Sequence, residues 1–381
     1  MSLLFSPISL RGLTVSNRLV VTPMCQYSAS GGLATDYHLV HLGRFALGGF
    51  GTVIVEATAV TPEGRITYAD LGLWSDDQTA PLARIVDVLH AQGAAAGIQL
   101  AHAGRKAASP VPWREGFDET EEEKPLVGFE DWRPVSPSAV SHAPESPDYK
   151  VPHALTAPEL SALRDAFVAA ARRAETAGFD LVEVHSAHGY LLHQFLSPVA
   201  NKREDEWGGS LENRMRFPLS VAKAVREAWP AHKPMFVRIS AQDGIPGGWT
   251  LEDSVAYARA LKEIGADLID CSSGGFAGGQ FALGPSYQVP LAHGVREGAV
   301  LPTMAVGLVT NAGEAEAVVA EGSADLVALG RAALDDPNWP LHARHELATR
   351  EDAYADWPLP SGYAVRNMDR ALHRRGFAKA G

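Results

Sequence analysis

Eight short apolar runs set the limits on what this chain can fold into. They are Leu19–Thr22, Thr52–Ala57, Ala95–Ala101, Leu181–His185, Met235–Ile239, Leu268–Cys271, Thr303–Val306 and Leu326–Leu329. Most are continuous rather than alternating, the pattern of strands buried on both faces of a parallel sheet. Helical stretches intervene, among them Pro81–Gln92, Ala157–Ala177, Leu211–Ala228, Leu251–Ile264 and Ala312–Ala320. Thr250 and Asn311 stand where N-caps belong, and Gly93, Gly178, Gly265 and Gly322 where helices stop. Strand–helix units in this order predict an α/β fold, a (β/α)8 TIM barrel. An open doubly wound sheet is the rival, but its GxGxxG fingerprint is missing after the first strand.

One barrel of ~250 residues leaves ~130 residues to place. We read residues 1–381 as a single domain with three additions. Met1–Asn17 is expected to cover the bottom of the barrel. Segment 105–155 follows the third strand and is expected to form an extended loop, a lid over the C-terminal mouth. It carries Pro110, Pro112, Pro125, Pro134 and Pro137, and its acidic run Glu119–Glu123 reads as a solvated loop. Segment 335–381 is a C-terminal extension suited to packing on a neighbouring subunit.

Composition narrows the class. Hydrophobic residues make up 46% of the chain and charged ones 20%, enough apolar material for a large core. A net charge of −12 argues against nucleic acid or an anionic membrane as partner, without excluding a local phosphate pocket. No apolar stretch is long enough to span a bilayer. Met1–Leu10 lacks the basic and apolar regions of a secretory signal. With two cysteines, Cys25 and Cys271, neither a disulfide scaffold nor a four-cysteine zinc site is expected, and a reducing cytoplasm fits. The two sit on strands 1 and 6, which are not neighbours in a barrel, so pairing between them is not expected.

Polar residues cluster where the strands end, and in a barrel those ends converge on one mouth. Gly307 and Gly330 permit close backbone approach, and a helix starting near Arg331 adds N–H groups and a guanidinium, which together suit a phosphate. His185 and His188 admit three readings: structural histidines, a zinc pair joined by His102, or donors to a substrate carbonyl oxygen with Tyr190 giving a proton. Arg238 is a strand cation that needs a partner, either Glu56 or Glu183, or else a bound anion or a cofactor that gains negative charge. Gln99 is either a satisfied core amide or a reader of a heteroaromatic edge. Cys25 reads equally well as a small buried hydrophobe.

Longer stretches carry a resemblance. They are Asn17-Arg18-Leu19; Thr22-Pro23-Met24-Cys25-Gln26-Tyr27; Gln99-Leu100-Ala101-His102-Ala103-Gly104-Arg105-Lys106; Gly178-Phe179-Asp180; His185-Ser186-Ala187-His188-Gly189-Tyr190-Leu191; Ser197 to Arg214; and Ala324 to Arg331. Together they resemble the Old Yellow Enzyme family of FMN-dependent ene-reductases, in its thermophilic-like and xenobiotic reductase class, from about residue 3 to residue 366. The resemblance implies a barrel holding FMN non-covalently at its mouth. Thr22, Pro23, Met24, Cys25, Ala57, Gln99 and Arg238 would surround the flavin ring, while Gly307, Gly330 and Arg331 would hold its phosphate. NADPH or NADH would reduce the flavin, and an enone or related activated alkene would then take hydride from N5 at Cβ, in a ping-pong cycle. His185 and His188 would hold the carbonyl oxygen and Tyr190 would protonate Cα, with Tyr27 lining the pocket. The class also implies a homodimer or homotetramer in which a tail residue, here Arg366, reaches a neighbouring pocket.

Three alternatives stand beside this reading. One is a related barrel reductase of the dienoyl-CoA type, which needs an iron–sulfur cluster that two cysteines cannot ligate. The others are a zinc-dependent barrel hydrolase using His102, His185 and His188, and a flavin-binding protein without catalysis.

Overall fold

The computed structural model describes residues 2–113, 132–146, 149–347, 353–354 and 356–376. Eight strands form a closed parallel barrel: β1 Leu19–Val21, β2 Thr52–Ala59, β3 Ala95–Ala101, β4 Leu181–Ser186, β5 Met235–Ser240, β6 Leu268–Ser272, β7 Thr303–Ala305 and β8 Leu326–Leu329. Each strand pairs with the one before it in sequence, and β8 closes on β1 through Ala328 opposite Val20. The predicted barrel stands, with every predicted strand matched to within two residues.

The helices that wrap it are α1 Asp36–Leu47, α2 Thr79–Ala91, α3 Ala157–Thr176, α4 Leu211–Ala228, α5 Leu251–Ile264, α6 Val289–Ala299, α7 Ala312–Ala320 and α8 Trp339–Leu347. Thr250 accepts from Asp253 N–H and Asn311 from Glu314 N–H, so both caps are made. Gly265 ends α5 in the left-handed region at φ +101°. Helix α6 escaped the sequence reading because Gly294 and Gly298 interrupt its apolar pattern. Those glycines let α6 lie against α5: a Cβ at either would come within 2.9 Å of Leu251 or 2.7 Å of Val255.

Inside the barrel the two-residue period of a strand sorts the side chains into layers. The lowest is apolar: Val20, Ile54, Leu181, Phe236, Leu268, Met304 and Leu326, with Leu10 from the Ile8–Leu10/Leu13–Val15 hairpin closing it from below. The N-terminal lead-in thus covers the barrel bottom, as expected. Two residues further along, Leu181 gives way to Glu183, Phe236 to Arg238 and Leu268 to Asp270, all buried. Another two residues bring His185, Ser240 and Ser272 to the mouth. Outward-facing residues such as Val53, Val182 and Val237 pack under the helices in a large continuous core.

Described parts of the segment after β3 pack against the chain that follows β4: Lys106 Nζ donates to His188 O at 3.0 Å, and Pro137 O accepts from Arg203 Nη1 at 3.0 Å. Within that segment Val135–Ser136 pairs with His153–Ala154, and Arg203 Nη1 donates to Leu155 O at 2.6 Å. The acidic run Glu119–Glu123 lies outside the described residues. In the tail, α8 buries Trp339 and Leu341, whereas a last helix, Leu359–Arg374, buries only Gly362. Among the described residues no helix is long and apolar enough to cross a membrane.

Candidate active site

A cavity of about 1100 Å³ opens at the C-terminal ends of β5 to β8. Its walls include His188, Arg238, Ser272, Ser273, Gln288, Gly307, Gly330 and Arg331. The volume lies just above the ~300–1,000 Å³ range of small-molecule and cofactor pockets.

Backbone shape opens one side of it. Gly307 sits at φ +109°, and a Cβ there would lie 2.8 Å from Gln288 Oε1. A Cβ on Gly330 would reach Thr22 Cγ2 at 3.2 Å and Met24 Sδ at 3.6 Å. The short helix Arg331–Asp335 begins immediately after Gly330, and the Arg331 side chain is exposed beside the cavity. Glycine at both positions, a guanidinium next to them and a buried, unpartnered Thr22 Oγ1 behind them are a set that fits a phosphate-bearing flavin.

Arg238 enters the cavity from the polar layer. Its Nε lies 3.0 Å from Asp270 Oδ2, and both side chains are buried. The sequence suggests Glu56 or Glu183 as partner, but the ion pair is with Asp270, because β5 and β6 align Arg238 directly opposite it. Glu183 stands in the same layer, where its Oε1 accepts from Gln99 Nε2 at 2.8 Å. Burial first, and then the neighbouring Asp270, push the Glu183 carboxyl up to about 8. Burial likewise raises Asp270, with Arg238 acting against it. Glu56 is engaged elsewhere: its Oε1 accepts from Gln26 N–H at 3.0 Å and its Oε2 lies 3.8 Å from His38 Nε2.

The histidines meet at the end of β4. His185 Nε2 lies 3.4 Å from His188 Nδ1. Ala187 N–H donates to His185 Nδ1 at 3.3 Å, which leaves the proton of a neutral His185 on Nε2. His188 Nε2 is 2.8 Å from Ser272 Oγ, which itself accepts from Gln288 Nε2 at 3.5 Å. A serine hydroxyl that accepts from Gln288 can turn its own proton toward His188 Nε2, which leaves His188 Nδ1 protonated as well. Burial, reinforced by the Arg238 charge, holds both imidazoles well below the ordinary histidine range, so both are neutral.

Tyr190 packs its ring edge against His185 with centroids 5.1 Å apart. Lys106 Nζ lies 4.8 Å from the centre of the same ring and donates to His188 O at 3.0 Å. Burial pushes the Tyr190 hydroxyl well above its usual range. It lowers Lys106 to about 8, with Arg105 adding to the effect. His188 itself is left-handed, at φ +58°. For a residue other than glycine this costs on the order of 1–2 kcal/mol, a strain held in place by the contacts around the loop.

Thr22, Pro23, Met24, Cys25, Tyr27, Ala57, Gln99, His185 and Tyr190 lie outside the walls of the large cavity. Ala57 and Tyr190 instead share a small crevice of about 10 Å³ with Asp70 and Ala101. Tyr27 packs edge-on to Trp113 at 5.5 Å. Burial raises the Cys25 thiol well above its ordinary value, and Cys25 and Cys271 are both free. Arg366 is exposed on the last helix, away from this cavity. His102 does not join the other two histidines as a metal set: its Nδ1 accepts from Gly104 N–H at 3.0 Å, and burial lowers it to about 4. Among the described residues no group of three His, Cys, Asp or Glu side chains is arranged to hold a metal ion. Sequence reasoning gave no role to Lys106 or Asp270. A charged residue just beyond β3 and another inside β6 were the available signals.

The comparisons agree with this geometry. Residues 3–350 match the model of the NADH:flavin oxidoreductase / NADH oxidase family. An NADPH dehydrogenase of Geobacillus thermodenitrificans is 45% identical over 354 residues, covering 92% of this chain and 96% of that protein. Among solved structures, morphinone reductase superposes with a TM-score of 0.76 at 28% identity, covering 91% of this chain and 90% of that one. An old yellow enzyme homologue from Zymomonas mobilis gives 0.74 at 26% identity, covering 94% and 98%. The chain therefore belongs to the NADH:flavin oxidoreductase / NADH oxidase family, the Old Yellow Enzyme family that its motifs resemble, and is an oxidoreductase working with FMN and NAD(P)H.

Proposed function

We propose that this enzyme reduces the activated C=C bond of α,β-unsaturated carbonyl compounds at the expense of NADPH or NADH. One observation carries the reading. The facing nitrogens of His185 and His188 lie 3.4 Å apart, and both bear protons when Ala187 N–H and a donating Ser272 Oγ occupy the outer nitrogens. Two donors turned toward each other need a common acceptor, and a carbonyl oxygen is one. Because both rings are neutral, they stabilise negative charge as it develops on that oxygen by hydrogen bonding alone.

When bound, FMN supplies the hydride-transfer chemistry that links the nicotinamide to the alkene. Gly307, Gly330 and Arg331 would hold its phosphate. Thr22, Pro23, Met24, Cys25, Ala57 and Gln99 would border its ring. Arg238 would offset the negative charge gained on reduction. Tyr190, beside His185 and under the Lys106 ammonium, holds the proton destined for Cα, and its high pKa keeps that proton in place until carbanion character develops. Tyr27 would border the alkene. Both substrates use one mouth in turn, which makes the kinetics ping-pong.

Under this proposal the working enzyme is a homodimer or homotetramer in the cytoplasm, and Arg366 faces a neighbouring copy's pocket. The exposed Leu359, Tyr363 and Met368 on the same helix support that assembly.

The test is an anaerobic single-turnover experiment on FMN-loaded His185→Ala and His188→Ala with cyclohexenone. Loss of one donor to a developing oxyanion is expected to slow enone reduction by roughly 10²–10³-fold. Unchanged enone reduction in both variants would overturn the reading.

A further inference from the structure

The loop bearing His188 and Tyr190 passes through two successive left-handed residues, His188 at φ +58° and Gly189 at φ +72°. Such a loop keeps its shape only if its polar backbone atoms are fixed from outside. His188 N–H donates to Ser240 Oγ at 2.9 Å, and Gly189 O accepts from Gln194 Nε2 at 2.7 Å. Gly189 N–H donates to Nδ1 of His193 at 2.9 Å. His193 sits in the short helix Leu191–Leu196, close enough to reach back to the loop that leads into it. Its ring is fully buried, with Nε2 3.0 Å from Oδ1 of the equally buried Asp243. The other oxygen, Asp243 Oδ2, accepts from Ser197 Oγ at 2.6 Å and from Trp249 N–H at 2.7 Å. Neither His193 nor Asp243 lines the cavity.

A neutral imidazole offers one acceptor nitrogen, and only while the other carries the proton. An ionised carboxylate only accepts. Asp243 Oδ1 therefore draws the proton to His193 Nε2 and leaves Nδ1 as a lone pair facing Gly189 N–H. We infer that His193 and Asp243 are positioning residues for the carbonyl-holding site: the carboxylate fixes the imidazole tautomer, and the imidazole fixes the Gly189 amide between His188 and Tyr190. The inference rests on the roles proposed above for His188 and Tyr190. Burial alone would raise the Asp243 carboxyl, yet the adjacent His193 ring and the hydrogen bonds from Ser197 and Trp249 outweigh it and hold the group below its usual range. An ionised carboxylate is what the arrangement requires.

Two substitutions separate positioning from packing. His193→Asn keeps an acceptor near the place of Nδ1 but cannot reach Asp243. His193→Gln reaches toward Asp243 and leaves Gly189 N–H without an acceptor. Both FMN-loaded variants are compared with wild type in calorimetric binding of p-cresol, whose oxygen probes the two imidazole donors without turnover, and in single-turnover reduction of cyclohexenone. H193N is expected within about threefold of wild type in both, whereas H193Q binds p-cresol roughly tenfold more weakly and slows the enone step at least as much. FMN retention and thermal midpoint are expected to be alike in the two. Equal losses in H193N and H193Q would overturn the inference, because a histidine that only fills space has no reason to prefer either replacement.

Should neither variant fold, nitrogen-detected NMR of the His193 ring in the wild-type holoenzyme decides. A neutral ring protonated on Nε2 supports the inference, and one protonated on Nδ1 or on both nitrogens refutes it. Failure of the functional reading looks different. It would appear as wild type that does not bind p-cresol and as His185→Ala with undiminished enone reduction.

Discussion

Tyr190→Phe removes one oxygen and little else. The ring keeps its edge contact with His185 at 5.1 Å and stays under Lys106 Nζ at 4.8 Å, because both contacts are made to ring carbons. Packing and the cation–π contact survive, so the unfolding free energy should move by no more than for a surface-type substitution, within about 0.5 kcal/mol. The proton donor does not survive. General acid catalysis contributes ~10²–10⁴-fold, equivalent to about 3–6 kcal/mol of barrier at ~1.4 kcal/mol per tenfold. The whole of that loss belongs to the step that protonates Cα. Stopped-flow absorbance at the flavin band separates the halves: NADPH is mixed with oxidised enzyme, and cyclohexenone with enzyme reduced anaerobically. We expect near-native reduction by NADPH and an enone step slowed by at least two orders of magnitude. Equal slowing of both halves, or an enone step within a few-fold of wild type, would refute the assignment of Tyr190 as donor.

Arg238→Met should destabilise the fold by about 3–5 kcal/mol in urea titration, since it strands Asp270 as a buried carboxylate without its cation. A loss under 1 kcal/mol would mean that Asp270 takes up a proton at no cost. Gly307→Ala forces a side chain into φ +109° against Gln288 and should weaken FMN retention, read as released flavin fluorescence after dilution. Burial raises the Glu56 carboxyl to about 8. A folded-state value above the unfolded one means that the native state binds the extra proton, so this group's contribution is complete below the unfolded value of ~4.5 and is lost as pH rises through about 8. Glu56→Gln should accordingly flatten the fall in unfolding free energy between pH 5 and 8, measured by urea titration, by an amount on the order of a few kcal/mol, and an unchanged slope would contradict it.

The fold was legible because a buried parallel strand leaves a local mark. Runs such as Thr52–Ala57 and Met235–Ile239 are apolar on both faces, and caps such as Thr250 and Asn311 sit beside their own helices. Helix α6 was missed for a local reason too. Glycines that serve close packing, Gly294 and Gly298, look in sequence like breaks. Most candidate site residues were legible as strand ends and through the motifs around them, and of these His188, Arg238, Gly307, Gly330 and Arg331 wall the large cavity. Their grouping at one mouth followed from the barrel, not from any pairwise spacing.

By itself, then, the chain determined which residues become strands, how many there are, and which side chains stand near the mouth, since each of these depends on neighbours within a few residues. Partnership was decided elsewhere. Arg238 meets Asp270 rather than Glu56 or Glu183 because the stagger between β5 and β6 puts those two opposite. His193 meets Asp243 because a short helix turns back beneath the His188 loop. A hydrogen bond or a buried ion pair is a matter of a few tenths of an ångström between segments far apart in sequence. Only the closed barrel, with its register and its loops in place, sets distances of that kind.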